Sequence, residues 1–346
     1  MDNRRSARAG GDPLAAKRDR AAVPTFAEAV DQFLSSKLAE FNNDKHRLQW
    51  RSTLDAYAGP VLGSLRVSDI GFRDVLRALE PIWREKTETA SRLRGRIEAV
   101  LAWATVSGHR EGDNPARWKG NLDALLPKPG KIAKADNHPA LALADVASWV
   151  ADLRKRVGMA ARALEFAAFT AARSGEVRGA VWTEFDLSAA LWTIPAERMK
   201  AGREHRVPLT PELVAMLRAL PRMDGSSFVF FAPRGGMLSD MALSAVMRRM
   251  QEAATAEGGA GFIDLRSGRS AVPHGLRSTF RDWAAERTDY PHEMAEIALA
   301  HNVGSVVERA YRRGDMLEKR RTMMAAWGRF LRGDAGQKVV QLGSVR

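Results

Sequence analysis

The chain of 346 residues contains no cysteine, which excludes disulfides, thiol nucleophiles and Cys-ligated metals. It has no uninterrupted apolar run of about 18 residues, so no transmembrane helix and no membrane partner are expected. Its first residues, Met1-Asp2-Asn3-Arg4-Arg5, lead into no apolar stretch and do not read as a secretory signal, which makes a cytoplasmic location the simplest expectation. Gly258-Gly259-Ala260-Gly261 lacks the following Lys and Ser/Thr of a phosphate-cradling loop, and there is no internal repeat. Acidic residues are in short supply: 41 Asp and Glu face 54 Lys and Arg, a formal net charge of +13. That balance favours a polyanion, nucleic acid first, over a membrane surface, a heparin-like polymer or plain solubility.

Tyrosine is also scarce, with only three in the chain. What is present divides into segments. Residues 1–22, with six Lys or Arg against three Asp, read as a disordered basic tail, either a loose phosphate-binding arm or a functionless end. Order begins at Thr25-Phe26-Ala27-Glu28, where Thr and Glu three apart form a capping box ahead of Val30, Phe33 and Leu34. Further helices are expected over 44–57, with Leu48 facing inward near Trp50 and Leu54 and Gly59-Pro60 as the stop. Two more are expected over 68–79 and over 87–107, where Leu93, Ile97, Val100, Leu101 and Ala104 share a face. Away from that face stand Arg92, Arg94 and Arg96, candidate DNA contacts. The expected divisions are a helical module over 23–126, a linker over 127–140, a second domain over 141–332 and a tail over 333–346. Pro127-Lys128-Pro129-Gly130-Lys131-Ile132-Ala133-Lys134 reads as an irregular strap, with Lys128, Lys131 and Lys134 as further DNA candidates or an ordinary solvated linker. The second domain reads as mainly helical (145–156, 159–172, a helix opened by Pro211, 239–254, 276–287, 292–300, 316–332). Two short strands, 191–195 and 205–209, flank a turn at Ala201-Gly202.

The chemistry concentrates in a few strings. Tyr311 follows His301 by ten residues, within Ala300-His301-Asn302-Val303-Gly304-Ser305 and Ala310-Tyr311-Arg312-Arg313. Upstream lie His274-Gly275-Leu276-Arg277 and Thr170-Ala171-Ala172-Arg173-Ser174-Gly175-Glu176. A phenol, two arginines, two histidines and a lysine from the basic turn form a set for phosphoryl transfer without metal or cofactor. Guanidinium groups are planar, bidentate clamps for a phosphodiester, and a phenol of ordinary pKa near 10 needs its proton removed as it attacks. Taken alone, the His-x-x-Arg pair reads first as a salt-bridged arginine and a satisfied core histidine.

The ordered set Thr-Ala-Ala-Arg-Ser-Gly-Glu, basic hairpin, His-Gly-Leu-Arg, Ala-His and Ala-Tyr resembles the tyrosine recombinase (phage integrase) family. The nearest likeness is to prophage and genomic-island integrases, which carry strings similar to Ile194-Pro195-Ala196-Glu197-Arg198-Met199-Lys200 and Leu317-Glu318-Lys319-Arg320-Arg321. The likeness covers about residues 25–332. It implies a mainly α fold: a four-helix, SAM-like core-binding domain, then a mostly helical α/β catalytic domain with a small antiparallel sheet. It implies Tyr311 as nucleophile forming a 3′-phosphotyrosine, Arg173 and Arg277 as phosphate clamps, His274 as the group that moves the tyrosine proton, and His301 as the phosphate-bonding buttress. Lys200 is implied as general acid, in competition with Arg198 and Arg203, and Glu176 as support for the first arginine. The implied partners are double-stranded DNA attachment sites, a homotetramer formed on DNA from C-shaped clamps, and accessory DNA-bending or directionality proteins, with the protein associated with the nucleoid. Only about 24 residues precede the core-binding helices, which leaves arm-site binding open, in either a short natural form or a truncated gene. Gln337–Leu342 reads either as a frayed tail or as a segment docking on a neighbouring protomer. Two other activities compete with integration: a type IB topoisomerase-like nicking and closing enzyme, and a degenerate integrase acting as a DNA-binding regulator.

Overall fold

The computed structural model describes residues 23–37, 44–132, 137–304 and 314–334. Residues 1–22, Lys134, Tyr311 and the 335–346 tail lie outside these. The chain divides into two compact units, 1–136 and 137–346, each with its own core.

In the first unit α1 spans Phe26–Lys37, and its capping box is formed: Thr25 donates its N–H to Glu28 Oε2 (2.8 Å) and accepts the Glu28 N–H at Oγ1 (3.3 Å). Helix α2 begins at Asp44 and reaches Thr53, then widens into a π turn at Leu54–Ala58 and continues to Leu62. Gly59-Pro60 therefore does not end it. The wider turn, in which the Gly59 N–H reaches the Leu54 carbonyl, makes room for a proline that lacks a donor. Leu48 is 69% exposed rather than inward, whereas Leu54 is buried and Trp50 packs on the core. Residues 50 and 54 share a helix face and residue 48 cannot join them. Helix α3 (Phe72–Trp83) starts four residues later than the sequence suggests, because Asp74 takes the Gly71 N–H (2.9 Å) and caps it there. Helix α4 (Thr87–Val106) carries the expected apolar stripe, with Leu93, Ile97, Val100, Leu101 and Ala104 all buried. Arg96 lies inside that stripe, 8% exposed, and not on an outward basic face. The strap contains one helical turn, Pro129–Ile132, with proline at its first position, where no donor is required.

In the second unit α5 (Val146–Lys155) and α6 (Met159–Thr170) pack beside α12 (Leu317–Leu331). Between α6 and the sheet lies a short α7 (Ser174–Arg178). The sheet is antiparallel, ordered β1 (Phe185–Asp186), β2 (Leu191–Ile194), β3 (His205–Pro208), with Thr193 opposite Arg206 and Ile194 opposite His205. Then follow α8 (Pro211–Ala219), α9 (Ala242–Ala256), α10 (Gly275–Arg287) and α11 (His292–Ala298). An aromatic cluster of Phe280, Trp283, Trp327 and Phe330 locks α10 to α12, with ring centroids 5.1–6.1 Å apart. The fold is mainly helical with one small antiparallel sheet. No described helix is long and apolar enough to cross a membrane.

Candidate active site

Two helix C-termini build the centre of the site. Helix α6 ends at Ala171 and α11 ends just before Ala300, and both alanines take the left-handed conformation (φ 52° and 51°). A non-glycine residue held there is strained, and such strain persists only where surrounding contacts over-determine it. Here the contacts are guanidinium groups. Arg277, 6% exposed in the first turn of α10, donates Nη1 to the Ala171 carbonyl (2.5 Å) and Nη2 to the Leu299 carbonyl (2.6 Å). Arg173 Nη2 reaches the Ala300 carbonyl (3.5 Å). The free carbonyls and negative dipole ends of both helices thus hold two like-charged groups side by side.

Glu176 orients Arg173. Buried at the third position of α7, it accepts the Arg173 backbone N–H through Oε2 and its Nη1 through Oε1, both at 2.8 Å. Burial first, then the neighbouring Arg173, lowers Arg277 to a pKa of about 10, so it stays protonated near neutrality.

The histidines face these cations. Arg277 Nη2 is 3.1 Å from His301 Nε2, and because a guanidinium only donates, Nε2 accepts. The His301 Nδ1–H then points to Glu296 Oε2 at 2.6 Å, and Glu296 Oε1 receives Arg281 (2.6 Å). Burial alone would raise the Glu296 pKa, but bonds from His301 and Arg281 outweigh it and the net direction is down. His274, at the N-terminus of α10, sits with its ring 4.4 Å from that of His138. Desolvation, then its neighbours His138, Arg277, Arg173 and His301, lowers its pKa to about 4, although solvent over its exposed edge screens part of that field. His274 is therefore an uncharged imidazole, able to accept a proton. Gly275 beside it has no substitute: a Cβ there would lie 1.8 Å from the Pro139 carbonyl.

The β2–β3 hairpin brings the basic turn to the same place. Arg198 at its root is committed elsewhere, donating to both Glu184 carboxylate oxygens and to the Glu176 carbonyl (2.5 Å). That removes it as a rival to Lys200. Lys200 and Arg203 are exposed at the tip. An open cleft of about 410 Å³ runs between the hairpin (Met199, Ala201, Arg203), His301 and Asp315.

The structure thus brings Arg173, Glu176, His274, Arg277 and His301 together, with Lys200 on the adjoining hairpin. Tyr311 lies outside the described residues, three residues before Gly314 on the cleft wall. The other two tyrosines occupy structural positions: Tyr57 receives Lys86 Nζ at 3.3 Å, and Tyr290 packs on Trp283. Of the candidate DNA contacts, Lys128 and Lys131 are exposed. Arg92 is exposed and paired with Glu88 (2.8 Å), and Arg94 is held by Glu98 and the Ala116 carbonyl. Arg96 is used internally, donating to the Gln49 carbonyl (2.6 Å) over the Trp50 ring. Sequence reasoning missed His205 on β3, which lines the cleft; burial, then Arg320, lowers its pKa to about 4. It also missed Glu296, whose spacing of five from His301 was the available signal.

Residues 26–121 match the model of the phage integrase central domain, and residues 150–318 that of the phage integrase family. The chain is 30% identical over 324 residues to prophage integrase IntA of Escherichia coli (strain K12), covering 91% of this chain and 72% of that one. It is 25% identical to the integrase of Enterobacteria phage P4, covering 91% and 71% respectively. Among solved structures, a lambda integrase tetramer bound to a Holliday junction superposes with TM-score 0.61 at 18% identity, covering 86% of this chain and 80% of that one. The chain belongs to the phage integrase family of tyrosine recombinases, enzymes that break and rejoin DNA strands.

Proposed function

We propose that this recombinase integrates or excises a mobile element through a covalent 3′-phosphotyrosine intermediate. The observation that supports this most is the convergence of Arg173 and Arg277 on one pair of helix ends, facing His274 and His301. A phosphodiester seated between the guanidinium groups exchanges their weak carbonyl and imidazole partners for charged oxygens. The Tyr311 oxygen attacks phosphorus and its proton passes to the uncharged His274. The bond from phosphorus to the 5′-oxygen breaks, and that oxygen takes a proton from Lys200. An aryl phosphodiester replaces an alkyl one, so rejoining needs no nucleotide cofactor. The reverse step uses the same groups with proton directions exchanged.

The expected substrate is double-stranded DNA, recombined by four protomers on two duplexes. This rests on the relatives: lambda integrase is solved as a tetramer bound to a Holliday junction and the Tn1549 transposon integrase in complex with circular intermediate DNA. The test uses nicked duplexes tiled across the DNA flanking the chain's own coding sequence. Wild type is expected to trap as a protein–DNA adduct on one of them, and Tyr311→Phe to bind that duplex without trapping. An adduct that survives in Tyr311→Phe refutes the assignment. Relaxation of supercoiled plasmids without such a site would favour the topoisomerase alternative.

A further inference from the structure

The cleft has a second ionic centre away from the phosphate clamps. Asp315 receives Arg206 through both oxygens: Nε to Oδ2 at 3.0 Å and Nη2 to Oδ1 at 2.7 Å. Arg320, 1% exposed on α12, grips the same residue twice, Nη2 to Oδ2 and Nε to the backbone carbonyl, both at 2.8 Å. Its remaining donor, Nη1, takes the Arg206 backbone carbonyl at 2.7 Å. Asp315 also accepts the Leu317 N–H (3.2 Å), which fixes the entry to α12 behind Met316, a left-handed residue at φ 55°. The chain at residue 315 is therefore held in place by five bonds from three residues.

Two catalytic segments meet at this cluster. Arg206 lies on β3, six residues after Lys200 on the hairpin. Asp315 lies four residues after Tyr311, and four residues extend at most about 14 Å. Asp315 and Arg206 both line the cleft that His301 shares. A surface ion pair alone would carry no such weight, but a bidentate pair locked by a buried arginine costs each side chain less freedom.

We infer that Asp315, gripped by Arg206 and Arg320, is a positioning residue that couples the hairpin bearing Lys200 to the segment bearing Tyr311. This rests on the proposed roles of those two residues. Loosening the cluster displaces nucleophile and general acid together while leaving the phosphate clamps in place. Asp315→Asn keeps the shape and some hydrogen bonds but loses the charge that holds both arginines. Arg206→Gln releases β3 from the other side without emptying the buried Arg320 position.

The experiment uses the full chain and the duplex that traps wild type, made with oxygen or with sulfur at the 5′-bridging position of the cleaved phosphate. A thiolate leaves without needing a proton, since its ordinary pKa is near 8.5, so sulfur removes the demand on Lys200. Asp315→Asn and Arg206→Gln are expected to slow adduct formation on the oxygen duplex by roughly 10–100-fold with DNA retention per folded molecule unchanged. Both lower the melting temperature, because the paired carboxylate stabilises the fold, and rates are read at a temperature where each variant is folded. Sulfur is expected to restore Lys200→Ala almost fully. It should restore Asp315→Asn only in part, leaving the share that runs through Tyr311. Wild-type rates in Asp315→Asn would overturn the inference, as would a defect that sulfur leaves untouched or one matched by equal loss of DNA retention. A wild type that never traps would sink the recombinase mechanism itself, whereas a trapping wild type with an unaffected Asp315→Asn sinks the coupling alone.

Discussion

Arg96 and Arg110 in the first unit and Arg277 in the second are buried to nearly the same degree, at 8%, 7% and 6% exposure. All three satisfy backbone carbonyls: Gln49 for Arg96, Val67 and Asp113 for Arg110, Ala171 and Leu299 for Arg277. Desolvation is the first cause lowering the pKa of each. Their surroundings set them apart. Arg96 lies over Trp50 in the helical core, while Arg277 shares its site with Arg173, His274 and His301. Burial of a guanidinium is thus a structural device in one unit. In the other, the same device sets Arg277 beside Arg173, itself paired with Glu176, in a site whose remaining donors suit an anion.

The largest effect that tests this contrast is on catalysis. Arg277→Gln, which removes the charge and keeps most of the volume, is expected to reduce adduct formation by at least roughly 10²–10³-fold, measured by trapping on a nicked duplex. Arg110→Met should do the opposite: unfolding in urea shows about 1–3 kcal/mol lost, because the Val67 and Asp113 carbonyls lose their donor, while trapping per folded molecule holds. Loss of cleavage in a folded Arg110→Met would erase the distinction.

How much of this was legible in the sequence follows from the kind of signal each residue leaves. Arg173, His274, Arg277 and His301 sit in short strings whose order marks them. Arg96 was legible too, since it lies three residues after Leu93 and four before Val100, inside the apolar stripe. Leu48 was misplaced because a two-residue spacing to Trp50 cannot share a helix face. The left-handed turns at Ala171 and Ala300 leave no trace, since alanine does not advertise positive φ as glycine does. The carbonyls that hold the arginines are backbone groups brought together by residues more than 100 positions apart, such as Ala171 and Arg277, and no local pattern encodes them.

Smaller effects sharpen the contrast. His205, with its pKa lowered from 6.5 to about 4 on folding, binds fewer protons folded than unfolded between those values. Stability therefore falls as pH drops from about 6.5 to about 4, and His205→Gln should flatten that slope in thermal melts; His274 contributes in the same direction. Glu296 and Asp315, whose pKa values are lowered, add their losses only below the usual carboxylate range, so the window above pH 5 isolates the histidines. An unchanged slope in His205→Gln contradicts a buried neutral ring. The smallest effect belongs to Arg92, exposed and paired with Glu88. Arg92→Ala should cost about 0.3–0.5 kcal/mol of stability. If Arg92 touches a phosphate, the substitution lowers the salt dependence of DNA retention by about one unit of slope.

Whether this cluster of arginines and histidines serves one tyrosine is decided by peptide mapping of the trapped adduct. The expected product is a nucleotide joined through its 3′-phosphate to the peptide containing Tyr311, with a free 5′-hydroxyl on the departing strand. Linkage at Tyr57 or Tyr290, or through a 5′-phosphate, would contradict it.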